Sequence, residues 1–191
     1  MAILSYNEIT QKKVIEYNGE PYQVLSSHVF RMQQRKPVNQ TKLRHLVSGK
    51  VLEISFHQNE SANEADISKM QAVYLYTNRG ESWFAEDGNP KNRFSFPEDA
   101  VHEKIQWLIA NAPVEVLLYK DNPAMIEIPI KMDLKVVEAP PAIKGDTATG
   151  GNKQVKLESG AAVNTPLFIG EGDIVRINTE TGEYVERVEK A

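Results

Sequence analysis

Turn signals cut this chain into short apolar runs and cap the length of any element it can form. Asn18-Gly19 separates Val14-Ile-Glu-Tyr17 from Tyr22-Gln-Val-Leu25. Asn-Gly between two apolar runs is a strong hairpin signal, because both residues tolerate positive φ. Thr77-Asn-Arg-Gly80 parts Ala72–Tyr76 from Trp83-Phe84, Lys120–Ala124 parts Val114–Tyr119 from Met125–Ile130, and Asn178–Glu183 joins Ile174–Ile177 to Tyr184–Val188. Further apolar runs cover 38–46, 136–143, 155–157 and 162–169, and Val51–Phe56 alternates with period two, as a half-buried strand does. The polar stretch 57–66 reads as a linker or exposed turn. Helical spacing shows once, in Val101, Ile105, Leu108 and Ile109, behind Pro97, Glu98 and Asp99, which suit a first turn. Many short strands with one helix mean barrels or sandwiches. The spacing predicts an all-β chain of three modules, residues 1–64, 65–129 and 130–191. Units this small bury only about 60% of their unfolded surface and are expected to lean on one another. No internal sequence repeat is visible.

Composition excludes several classes. The 191 residues include no cysteine, so there is no disulfide framework, thiolate metal site or cysteine nucleophile. The N-terminal residues lack the basic and apolar regions of a signal peptide, and no apolar run approaches a membrane span. The expected address is the cytoplasm, with no membrane partner.

Enzyme constellations are missing. There is no Gly-x-Ser-x-Gly elbow and no His-Glu-x-x-His helix, and the four histidines (His28, His45, His57 and His102) are too scattered to predict a metal site. Gly145–Gly150 resembles the start of a phosphate loop, but Gly151-Asn152 stands where the loop requires lysine and a hydroxyl. Neighbouring acids, Glu86-Asp87 and Glu98-Asp99, read as turn and first-turn residues, and Trp83 and Trp107 read as core. No catalytic residue, metal or cofactor is expected.

Charge is the informative pattern. The chain carries −4 overall, but residues 1–64 carry +2, residues 65–129 carry −4 and residues 130–191 carry −2. Between Glu20 and Glu53 lie 32 residues without an acid, holding Arg31, Arg35, Lys36, Lys42, Arg44 and Lys50 with His28 and His45. A cationic run is ordinarily a solvated face; one this long and acid-free points to phosphate contact. If about five of these charges neutralised phosphates, the log–log salt slope of binding would be roughly −4. Read as a β-hairpin, Ser26–Thr41 would project its arms roughly 26 Å and carry Gln33, Gln34 and Arg35 away from the body. The plain alternative is a basic loop.

Several stretches, in order, resemble bacterial elongation factor P: Tyr17–Tyr22, Thr41–Leu46, Tyr74-Leu-Tyr76, Leu134–Glu138, Lys144–Gly151, Gly160–Gly172 with Pro166, Leu167 and Phe168, and Gly182–Val185 with Arg187. The resemblance spans essentially the whole chain. It implies three small β-barrels in an L shape mimicking tRNA, an N-terminal KOW/SH3-like barrel followed by two OB-fold barrels. It implies a monomeric, non-enzymatic factor that enters the 70S ribosome between P and E sites and positions P-site peptidyl-tRNA, so that peptide bond formation resumes at stalled polyproline stretches. The tip facing the peptidyl-transferase centre would comprise Arg31, Met32, Gln33, Gln34, Arg35 and Lys36. Lys42, Arg44, Tyr184 and Arg187 would contact tRNA or rRNA backbone, and Thr149, Gly150 and Gly151 would meet E-site mRNA.

The tip also departs from the family. Its loop usually reads Lys-Pro-Gly-Lys-Gly, with the second lysine often modified. Here that position is Gln34, which has no amine to extend, so an unmodified tip is expected, with the amide as donor and acceptor. Val155, Thr165, Asn178 and Glu180 also stand where the family commonly has alanine, valine, aspartate and arginine, and the acid at Glu180 weakens any phosphate contact there. Competing readings are a paralogue with other stalling targets, a generic OB-fold RNA-binding protein working through stacked aromatics, and a small β-rich hydrolase. The archaeal and eukaryotic counterpart lacks a third barrel.

Overall fold

The computed structural model describes residues 2–31, 36–141 and 151–191, and these form three antiparallel sheets. The first contains β1 (Ile3–Ser5), β2 (Val14–Tyr17), β3 (Glu20–Phe30), β4 (Val38–His45), β5 (Val51–His57) and β6 (Ser61–Glu64), in the order β1-β6-β2-β3-β4-β5. Ile9, Ile15, Val24, Leu43 and Phe56 fill its core. At the β2–β3 turn, Asn18 and Gly19 take φ of 53° and 81°, the mirror-image turn that matches strand twist.

The polar stretch 57–66 is not a linker. β6 lies between β1 and β2, pairing Ala62 with Leu4 and Glu64 with Ile15. Its only inward side chain before Ala65 is Ala62, so two backbone ladders rather than an apolar pattern hold it.

The second sheet contains β7 (Ile67–Asn78), β8 (Glu81–Glu86), β9 (Asn89–Pro97), β10 (Pro113–Tyr119) and β11 (Asn122–Glu127), with α1 (Glu98–Ile105) between β9 and β10. The third contains β12 (Lys131–Glu138), β13 (Asn152–Leu157), β14 (Ala162–Pro166), β15 (Ile174–Asn178) and β16 (Glu183–Glu189). Their orders, β11-β10-β7-β8-β9 and β14-β13-β12-β15-β16, are one topology: the first strand is central, with strands two and three on one side and four and five on the other. This is OB-like architecture. The described residues therefore form three β-sheet domains with one short helix, the second and third OB-like.

The helix face is shorter than its spacing predicts. Val101 and Ile105 are buried, but α1 stops at Ile105 and a turn follows. Leu108 is still buried, whereas Ile109, past the end of the helical period, is exposed. Trp107 enters the core of the third sheet beside Leu134, Val155 and Ile177. Trp83, by contrast, is only half-buried on the outer face of β8.

The units are joined through side chains. Leu46, Leu117, Ala124 and Met125 form a buried cluster with Val14, Ile67 and Tyr119 between the first and second sheets. Around it, Lys120 pairs with Glu16 at 2.9 Å and the Tyr119 hydroxyl donates to the same carboxylate, which these two donors hold below the usual glutamate range. Trp107 makes the corresponding joint to the third sheet, its ring 3.6 Å from where a Cβ on Gly182 would stand.

Candidate nucleic-acid interface

The acid-free stretch folds as the β3–β4 hairpin. Eight paired positions, from Tyr22↔His45 to Phe30↔Val38, set its register, broken once by a β-bulge between Val24 and Ser26. Val24 faces the core; the extra residue, Leu25, turns Ser26, His28 and Phe30 to the outside. His28 and Phe30 stack there with ring centroids 6.2 Å apart. On β4, Asn39, Thr41 and Leu43 point inward while Gln40 and Lys42 point out.

The hairpin is not a free two-stranded prong. β5 pairs with β4 along its whole length, to Val38↔His57, so the arms are the outer half of a sheet. Asn39 pins them to the barrel: it is fully buried, and its Nδ2 donates to the carbonyls of Tyr6 (2.6 Å) and Ile9 (2.9 Å). The paired arms end at Phe30↔Val38, and residues 31–37 join them in sequence. Arg31 and Lys36, at the two ends of that connection, are exposed. Met32, Gln33, Gln34 and Arg35 lie outside the described residues.

The expected backbone contacts divide. Lys42 is exposed on the outer face, between Ser26 and Glu53 in register. Arg44 is half-buried and bonds Glu103 of α1 at 3.2 Å, so it bridges two units rather than standing free. Tyr184 packs against the third core. Arg187 lies over the ring of exposed Phe168, 5.1 Å from its centroid, and bonds Asp173 at 3.4 Å. Burial pushes the Asp173 carboxyl up, but the amides of Gly170 and Ala191 and the Arg187 guanidinium outweigh it and hold the group below the usual carboxylate range. Asn178 Oδ1 accepts from the amides of Glu180 (2.9 Å) and Thr181 (3.3 Å), doing without charge what an aspartate would do at that turn. Gly151 sits at the start of β13, half-buried, while Thr149 and Gly150 lie outside the described residues.

A cavity of about 860 Å³ opens where the three units meet, lined among others by Lys12, Arg44, Lys104, Trp107, Glu127 and Glu180. The Lys104 ammonium is buried there, donating to the Ile126 carbonyl, and burial lowers its pKa. Both signs of charge alternate around this space, which suits a joint between units better than a single-signed ligand.

Sequence reasoning missed the pin at Asn39, the stacking of Phe30 on His28 and the contact of Phe168 with Arg187. The bulge hides the outward set of β3, because one inserted residue looks like broken alternation.

The model of the elongation factor P KOW-like domain matches residues 5–62, and that of the elongation factor P C-terminal domain matches residues 132–187. Elongation factor P of Thermodesulfovibrio yellowstonii is 38% identical over 98% of this chain and 100% of its own length. The chain belongs to the elongation factor P family. Elongation factor P proteins of Aquifex aeolicus (37% identical, 98% of this chain and 97% of the relative) and Carboxydothermus hydrogenoformans (34%, 97% and 100%) are similarly related. Among solved structures, eukaryotic translation initiation factor 5A from Methanococcus jannaschii superposes with a TM-score of 0.49 over 67% of this chain and 92% of its own, at 10% identity. As a member of the elongation factor P family, the chain is a translation elongation factor.

Proposed function

We propose that this elongation factor binds the 70S ribosome between the P and E sites and speeds peptide bond formation at stalled polyproline stretches by steadying the P-site peptidyl-tRNA. It acts without catalysing the step itself; rRNA does the chemistry. The observation that carries this reading is the β3–β4 hairpin, where exposed Lys42 sits on an arm that Asn39 pins to the barrel and exposed Arg31 and Lys36 follow and precede the paired strands. Cations at such an end bind phosphate, and a braced base limits the entropy lost on docking. In this reading Gln34 contacts the tRNA CCA end through its unmodified amide, Arg187 and Tyr184 meet rRNA or tRNA backbone, and Thr149–Gly151 approach E-site mRNA.

Sedimentation with purified ribosomes tests it. Binding should be far tighter to 70S ribosomes carrying P-site tRNA than to vacant ribosomes or free single strands. Equal affinity for free single strands would favour a generic RNA-binding protein instead.

A further inference from the structure

The outer face of the central sheet carries two aromatic side chains that neither the core nor the joints use. Tyr76 is 46% exposed and stacks on half-buried Trp83, with ring centroids 6.5 Å apart and planes inclined by 30°. Their juxtaposition is built by the backbone. β7 and β8 pair Tyr74 with Phe84, then skip Leu75 in a bulge and pair Tyr76 with Trp83. Tyr74 and Phe84 face the core; without the bulge, strand alternation would turn Tyr76 inward as well. Beneath the pair, the Tyr74 hydroxyl meets Thr77 Oγ1 at 2.9 Å, and Thr77 Oγ1 meets the fully buried Ser82 Oγ at 2.9 Å. This hydroxyl chain ties both strands together on the inner side and fixes the register on which the outer pair depends.

The surroundings favour a nucleic acid. Along the same face Val73, Ala85 and Arg93 form the next row across the sheet, and Ser95 continues the Tyr76–Trp83 row. Arg93 is exposed, its Nε donating to the Pro90 carbonyl, and exposed Lys91 lies two residues further along β9. On the other side the next row holds Asn78, Glu81 and Pro97, so the cations and Glu81 lie to opposite sides of the rings, while Glu86, on the cations' side, is occupied by the amides of Asn89 and Asn92. An aromatic pair with cations at one edge suits an unpaired nucleobase whose phosphate points toward the cations. The geometry points to Tyr76 and Trp83 as a stacking platform for one unpaired RNA base, with Arg93 and Lys91 on the adjoining phosphate. This rests on the ribosome reading and adds to it an RNA contact on the central unit, which that reading otherwise leaves without one.

The full chain is titrated against 70S ribosomes carrying P-site tRNA, and the RNA is probed base by base with dimethyl sulfate and a carbodiimide. Tyr76→Ala should weaken binding about tenfold, the range expected for losing one stacked base. Trp83→Phe, which keeps an aromatic face, should stay within about threefold of wild type, and Arg93→Ala should reduce the log–log salt slope by about one. One unpaired base protected by the wild type should become reactive with Tyr76→Ala. Wild-type affinity in Tyr76→Ala, whose thermal melt controls for folding, would overturn the platform and leave the ribosome reading intact. Weakened binding with no base changing reactivity would overturn it in favour of a protein contact. Failure of the wild type to bind ribosomes would remove both readings together.

Discussion

Asn39 is fully buried, and its carboxamide is the donor for two carbonyls, those of Tyr6 and Ile9. Asn39→Ala would strand both acceptors, and urea denaturation should show a loss of about 2–3 kcal/mol. Asp173 shares the response to acid with Glu8, Glu16 and Asp133, whose carboxyls are also held low by hydrogen bonds. Because its folded pKa is lowered, its contribution is present above the unfolded value and is lost as pH falls through the folded one. Stability should be level from pH 7 to about 5 and decline below about 4. Asp173→Asn should make that acid decline shallower and cost about 1–3 kcal/mol at pH 7 in the same denaturation series. At this scale the sequence spoke through chemistry type and not through contact. The cations of the hairpin were legible because charge needs no neighbour to be recognised. Arg44 looked like its companions, and only tertiary structure shows that Glu103 occupies it.

Elements were legible where turn chemistry is local. The Asn18-Gly19, Arg79-Gly80 and Lys120-Asp121 turns all have positive φ at both central residues, and all three lie where the sequence placed hairpins. Lys120 and Asp121 hold φ of 51° and 61° without a glycine. Asp121→Gly relieves that strain and leaves the Lys120–Glu16 pair in place; calorimetry should show stabilisation of about 0.5–1 kcal/mol. Elements were illegible where the ladder, not the side chains, defines them. β6 has one inward alanine, and the first half of β9 presents polar residues on both sides before Phe94 and Phe96 turn in. The bulges at Leu25 and Leu75 decide which residues face solvent on the hairpin and on the central sheet. Each is one residue inserted into a period of two, which a sequence shows only as irregularity.

For the whole molecule, the second and third sheets repeat one strand order without a visible sequence repeat. The topology needs turns at corresponding places and an inward apolar set, and many sequences meet both conditions. Trp107 illustrates the limit of local reading. It was expected in a core and is in one, but in the core of the neighbouring unit. Trp107→Ala should therefore destabilise the third unit by about 3–5 kcal/mol; calorimetry should resolve that unit as a separate, earlier transition while the helix-bearing unit keeps its own. The joints formed by Trp107, by the Leu46–Leu117 cluster and by Arg44–Glu103 tie the hairpin-bearing unit to the rest of the chain. The central claim is that the hairpin end acts on a stalled ribosome. In vitro translation of a Pro-Pro-Pro reporter measures it, with wild type, Gln34→Ala, Arg35→Ala and a Lys36→Ala, Arg31→Ala double variant compared at equal concentration. The account predicts rescue by the wild type and a several-fold slower rescue by the tip variants; rescue at the wild-type rate by all of them, or none by the wild type, would contradict it.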